Sequence, residues 1–290
     1  MIQNPYNGTP YTHNNPEHIS LSEVETLTLA DYGLTPDNVK MNHFGVNVTD
    51  PRTGQHLPDA FYQSKLEAAL AMVEKKLDIA ILPRIETEHH DFYRNDFQSH
   101  MYIHAFKKPI LQVESLRLEY GGASVYNYPS RWWKVYNLQG HVQMMPSLLL
   151  SGEQQGLNVA QMYSGGAMYG MNHITGGGQS APQMLHLQYV AGMVPPKRQG
   201  VTRDTEMHPD LWQLIIKVAL KEVLQQWGRL IIGAGIANMS TTIDGVSQSI
   251  DTTQSAMHGG ASADIIQLDR DITELVSGLR SYYGINLGLV

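Results

Sequence analysis

The sequence contains no cysteine. Disulfides, thiolate zinc sites and cysteine nucleophiles are therefore excluded. Charge is scarce as well: Asp, Glu, Lys and Arg make up 16% of the 290 residues, against about a quarter in ordinary soluble domains. The formal net charge is −7, and the basic residues are scattered, the longest basic cluster being Pro196-Lys197-Arg198. No basic stripe tracks a phosphate backbone, which argues against tight general binding of DNA. No apolar run approaches membrane-spanning length. Met1–His18 has neither the basic start nor the apolar run of a secretory leader. A soluble protein with no membrane partner is expected, and low charge of this kind suits one that hides surface in a complex.

What the chain does have is a long polar excursion near its end. Gly233–Asp264 reads GAGIANMSTTIDGVSQSIDTTQSAMHGGASAD. It is too polar for a core, yet Ile236, Ile243, Val246 and Ile250 recur in it, unlike a Gly/Ser linker. Asp244-Gly245 between two β-leaning runs is a strong signal for a two-residue hairpin. Such a segment can add strands to a neighbour without a core of its own. On either side lie amphipathic stretches, Pro209–Ile232 with Pro at a favoured helix start and Ile265–Leu279.

Upstream, residues 1–19 with Pro5, Pro10 and Pro16 read as an extended arm. Ser20 and Glu23 fit a capping box that opens a helix through Val24 and Leu27, ended by Gly33. The stretch to Pro58 is loop-like. Asp59 caps a second helix to about Ala80, with Leu66, Leu70, Val73 and Leu77 at helical spacing. From His100 the period becomes two: Met101, Ile103 and Ala105, then Leu111 and Val113, then Leu116, Leu118 and Tyr120, a turn at Gly121-Gly122, and Trp133–Val135 and Val142–Met144. This predicts a small antiparallel sheet. Leu148–Gln199, rich in Gly and Met, reads as a long loop whose Met162, Met168, Met171, Met184 and Met193 either fill the protein's own core or form an adaptable contact surface. The predicted class is α+β, a helical bundle with an inserted small antiparallel sheet, an extended N-terminal arm and an extended C-terminal segment, divided as residues 1–19, 20–146, 147–208 and 209–290.

Motifs with catalytic potential are few. Glu86, Glu88, His89, His90 and Asp91 are residue types that hold metals, but no HExxH spacing accompanies them, and a solvated loop after Pro83-Arg84 is the expectation. Gly233-Ala234-Gly235 lacks the preceding strand and third glycine of a dinucleotide fingerprint and reads as a helix stop. Gly245-Val246-Ser247-Gln248-Ser249 lacks the closing glycine of a nucleophile elbow. We therefore expect no enzyme, no cofactor and no metal; the rival of another class is a metal-dependent hydrolase using Glu86–Asp91. The expected functional residues form a partner interface: Ile243, Val246 and Ile250 in the polar excursion, and Tyr282, Tyr283, Ile285, Leu287, Leu289 and Val290 at the end of the chain, where aromatics suit a buried contact.

The order of elements carries a resemblance. Helices are followed by PILQVESLRLEYGG and WWKVYNLQGHVQMMP, then a long helix and an extended end. This resembles the head–tail connector, or adaptor, proteins of tailed bacteriophages, in which a helix like Ala60–Ala80 precedes a Pro-Val-x-x-Val-like strand and a Tyr-containing strand. IDGVSQSIDTTQSA and SGLRSYYGI are similar to the C-terminal parts of phage neck proteins. The resemblance covers Asp59–Pro146 and Leu230–Gly284. It implies a non-enzymatic virion protein of the neck, assembled in the host cytoplasm into a ring, usually twelve-fold. Its partners would be its own copies, the portal protein, and the tail or next neck ring, with DNA passing through without specific binding. An acidic wall would repel the duplex and let it slide. The alternative within virions is another tail, stopper or baseplate structural protein.

Overall fold

Residues 24, 26–43, 48–50, 53–93, 102–120, 123–130, 133–144, 180–196, 205–232, 238–243, 246–251 and 262–283 are described by a computed structural model. They form two compact units, each assembled from distant stretches: one from Met1–Leu27 and Asp78–Glu206, the other from Thr28–Leu77 and Met207–Val290. The class is α+β.

The second unit is mainly helical. A 3-10 turn, Leu29–Tyr32, is opened by Thr28, whose N–H and hydroxyl donate to Asp31 Oδ2 at 2.7 and 2.8 Å. It is closed by Gly33 at φ +70°. The expected single helix through Val24 and Leu27 to Gly33 is interrupted: Leu27 and Thr28 are not helical, and Gly33 ends this separate turn; Ser20 and Glu23 lie outside the described residues. A short helix α1, Pro36–Met41, follows where a loop was expected. It starts with Pro at N1 and a Thr35 hydroxyl accepting from the Asn38 N–H at 3.3 Å, a local start signal too short to show periodicity.

Helix α2, Asp59–Leu77, buries Tyr62, Leu66, Ala69, Leu70, Val73 and Leu77, the stripe its spacing predicts. The chain leaves it at Asp78, at φ +53°. Helix α3, Pro209–Ile232, matches its predicted bounds, and α4 runs Ser262–Tyr283. Within this unit α3 packs against α2 and α4. The Trp212 and Trp227 indoles donate to the carbonyls of Gly33 at 3.2 Å and Thr49 at 2.9 Å, tying α3 to the preceding segments. Lys217–Asp271 at 2.6 Å and Lys221–Asp269 at 2.5 Å join α3 to α4 at its half-exposed margin. The Lys217 ammonium holds the Asp271 carboxyl below the usual carboxylate range.

The first unit is built on two antiparallel sheets. Its strands are β1 Arg84–Tyr93, β2 Tyr102–His104, β3 Ile110–Tyr120, β4 Ala123–Asn127, β5 Trp133–Tyr136, β6 His141–Met144 and β7 Ser180–Ala191. One sheet has the order β1-β7-β3-β4, the other β2-β6-β5. Their shared core holds Phe92, Ile103, Leu116, Leu118, Trp133, Val135, Val142, Met144, Leu185, Leu187 and Tyr189. The alternation from residue 102 to 144 forms strands as expected, divided between the two sheets rather than in one.

Two further expectations are overturned. Glu86–Asp91 is not a loop but the middle of β1. Leu148–Gln199 is not wholly a loop: it contains β7, which lies between β1 and β3. Every residue of β7 from Met184 to Ala191 except Gln188 is buried. A strand covered on both faces shows no alternation, and Pro182 and the glycines before it read as loop punctuation.

Candidate functional site

Strands β8, Asn238–Ile243, and β9, Val246–Asp251, form an antiparallel hairpin between α3 and α4 in the chain. Ile243 pairs with Val246 across the two residues Asp244 and Gly245, the register a two-residue connection imposes. Met239 pairs with Ile250 and Thr241 with Gln248. With a period of two, Met239, Ile243, Val246 and Ile250 occupy positions on one face, and Ser240, Thr242, Ser247 and Ser249 positions on the other. Among the described residues the hairpin is a sheet of two strands with no third. Both its edges therefore offer backbone N–H and C=O groups, and an isolated two-stranded hairpin is marginal in water.

At the end of α4, Tyr283 is 3% exposed and packed in its own unit, while Tyr282 is 39% exposed. Their rings meet edge to face at 5.0 Å, and Tyr282 also lies 4.9 Å from His208. Burial, then the neighbouring Tyr282, holds the Tyr283 phenol well above its ordinary value. In a single chain Tyr282, not Tyr283, has ring surface to offer a partner. Ile285, Leu287, Leu289 and Val290 lie outside the described residues.

The Glu86–Asp91 segment does not converge on one point. Strand geometry sends Glu86, Glu88 and His90 to one face and Thr87, His89 and Asp91 to the other. Glu88 is buried and committed: it accepts from the Phe106 N–H at 2.9 and 3.0 Å, from the Tyr189 hydroxyl in a short contact, and lies 2.9 Å from His90 Nε2. The Tyr189 hydroxyl in turn accepts from the Lys107 N–H at 3.0 Å. Burial, then the adjoining carboxylate, keeps the Tyr189 phenol protonated far above its usual value. This is a structural polar network, and it removes Glu88 from any shared metal site with His89 and Asp91. A metal site that joins Glu88 to His89 and Asp91 therefore loses its basis. Asp91 is used likewise, accepting from the Gln183 N–H at 2.9 Å.

On the opposite face a different set comes together. His89 on β1 pairs with His186 on β7, which pairs with Arg117 on β3. The two imidazoles meet edge to face at 4.7 Å. Glu119, two residues beyond Arg117, completes the group. Arg117 Nη2 lies 3.3 Å from His186 Nε2 and Arg117 Nε 2.5 Å from Glu119 Oε1. Burial, then the Arg117 charge, holds His186 below its usual pKa, so the ring is neutral. Sequence reasoning named His89 but missed His186 and Glu119. Register alone joins them, and no local spacing encodes it. Of the methionines weighed earlier, Met184 and Met193 are core residues; Met162, Met168 and Met171 lie outside the described residues.

No family model and no curated protein matches the chain. Among solved structures it is similar to a chain in the neck of an empty GTA (gene transfer agent) particle computed with C6 symmetry, at 14% identity and a TM-score of 0.38, covering 71% of this chain and 81% of that one. It is also similar to a chain in the neck of the native GTA particle computed with C12 symmetry, at 14% identity and a TM-score of 0.33, covering 70% and 79%. The neighbours thus come from neck assemblies of phage-like particles.

Proposed function

We propose that this chain is a non-enzymatic structural subunit of a phage-type neck, closing into a ring and adapting the portal to the tail. The observation that carries the reading is the hairpin of β8 and β9. It has no third strand among the described residues, has positions for four apolar residues on one face, and lies between α3 and α4 in the chain. Pairing with a neighbouring copy would satisfy its edges and cover its apolar face, and a closed cyclic arrangement leaves no edge open. The resemblance of Asp59–Pro146 and Leu230–Gly284 to connector proteins supports placing that ring at the head–tail interface of the virion, with twelve-fold order. The net charge of −7 suits a wall along which DNA passes without being held. Tyr282 and the residues after it are the second contact, toward the neighbour or the portal.

Proline at an outward edge position tests the hairpin. A two-residue connection makes Ile243–Val246 a hydrogen-bonded pair, so the N–H groups of Ser240, Thr242, Ser247 and Ser249 face away from the partner strand. Ser240→Pro and Ser249→Pro remove one outward donor each and leave the internal ladder intact. Both variants are expected to keep the far-UV spectrum and melting temperature of the parent while losing assembly in size-exclusion chromatography, alone or with portal protein. Unchanged assembly in both would refute pairing through these edges.

A further inference from the structure

We propose that His89, Glu119 and His186 form a three-ligand site for a divalent transition ion of the zinc class, on the face of the four-stranded sheet away from Glu88. The proposal is independent of the neck reading. One donor atom from each residue lies within 4.8 Å of the other two. Zinc bonds of about 2.0–2.2 Å bring tetrahedral ligand atoms to about 3.3 Å from one another, so closing the site shortens the separations by up to about 1.5 Å. The set can make these shifts. His186 is fixed, 5% exposed on a strand paired on both sides. His89 is exposed on the edge strand β1, and Glu119 is partly exposed, so these two can close on it. Two imidazoles and one carboxylate are borderline donors, suited to zinc, cobalt or nickel rather than calcium or magnesium.

A second observation points to a missing occupant. His186 Nδ1 is buried with no hydrogen-bond partner, as are Ser115 Oγ and Arg117 Nε. All three sit on adjacent strands, at positions sharing a face. Buried imidazole nitrogens are rarely left unmatched. Arg117 does not resolve this. A guanidinium only donates, and its Nε approaches Glu119 without the direction of a hydrogen bond. It stands where a cation belongs, and with its side chain 35% exposed it can swing outward when a metal enters.

The test titrates the full chain, stripped with chelator, with Zn²⁺ by calorimetry and with Co²⁺ by visible absorption. One ion per chain is expected, with the intense d–d bands of a tetrahedral cobalt site. His89→Ala lies at an exposed edge position and should fold as the parent does. It should weaken binding about tenfold or more, as should Glu119→Gln, because each removes one of three protein ligands. Arg117→Leu should tighten binding about tenfold by removing a like charge. Thr87→Ala, exposed on the same strand, and His104→Ala, from the separate His104–His141 pair, should leave it unchanged. Absence of saturable binding, or binding that His89→Ala and Glu119→Gln leave intact, would overturn the site and make Arg117 the resident cation.

Discussion

Gly192→Ala is expected to abolish folding of the sheet unit. Gly192 has φ +135°, a conformation that L side chains rarely adopt. An added Cβ would sit 2.6 Å from Pro83 Cα, 2.7 Å from Pro83 N and 2.9 Å from the Leu82 carbonyl carbon. These are backbone atoms at the entry to β1 and cannot rotate away. The segment is pinned as well: the Gly192 N–H donates to the Pro109 carbonyl at 2.9 Å and the next N–H, of Met193, to Ile81 at 2.9 Å. Backbone strain of about 1–3 kcal/mol adds to the overlap, so a loss above about 4 kcal/mol is expected, in the range reserved for special mechanisms. Gly54→Ala is the control. Gly54 also has positive φ, +69°, but nothing lies within 4 Å of its added Cβ, so only about 1–2 kcal/mol is at stake. Urea denaturation followed by circular dichroism separates the two. Similar, small losses in both would mean that the approach at Pro83 is not tight.

Glu88→Ala is the second large effect. The substitution strands the Tyr189 hydroxyl in a buried place, takes the acceptor from the part-buried Phe106 N–H and removes the partner of His90. Each unpaired buried group costs about 1–3 kcal/mol, giving about 3–5 kcal/mol in all. That is a large share of a total stability of about 5–15 kcal/mol. Tyr189→Phe removes the hydroxyl along with its need for a partner, leaving Glu88 its two contacts to the Phe106 N–H. About 1–2 kcal/mol is expected there. The same denaturation experiment measures both, and a Glu88→Ala loss below about 1 kcal/mol would show that water reaches the carboxylate.

The sequence was most legible where one period ran uninterrupted. Leu66, Leu70, Val73 and Leu77 predicted α2, and α3 began at Pro209 and ended before Gly233. The hairpin was visible because Asp244-Gly245 is a local turn signal. Strand β1 was illegible because its polarity is inverted: Glu88 points inward and is buried, while Ile85 and Tyr93 are 37% and 48% exposed. A carboxylate can hold an interior position when a tyrosine and a backbone N–H wait for it, and those partners, Tyr189 and Phe106, lie far along the chain. Strand β7 was hidden for the opposite reason, burial on both faces. The two units were not foreseeable because each joins stretches that the other unit separates in the chain, Leu27 from Asp78 in one and Leu77 from Met207 in the other. The His89–His186–Glu119 group shares that non-local origin. It exists only once β7 is known to lie between β1 and β3.

The claim that the hairpin drives closed assembly is tested most directly by the native mass of the purified protein. Native mass spectrometry over a range of concentrations, with and without portal protein, should give a single closed multiple of the 32.4 kDa chain, twelve copies on the proposed reading, with no ladder of intermediate sizes. Ser249→Pro should return it to one chain. A wild-type protein that stays at 32.4 kDa at every concentration, with portal present as well as absent, would contradict the account.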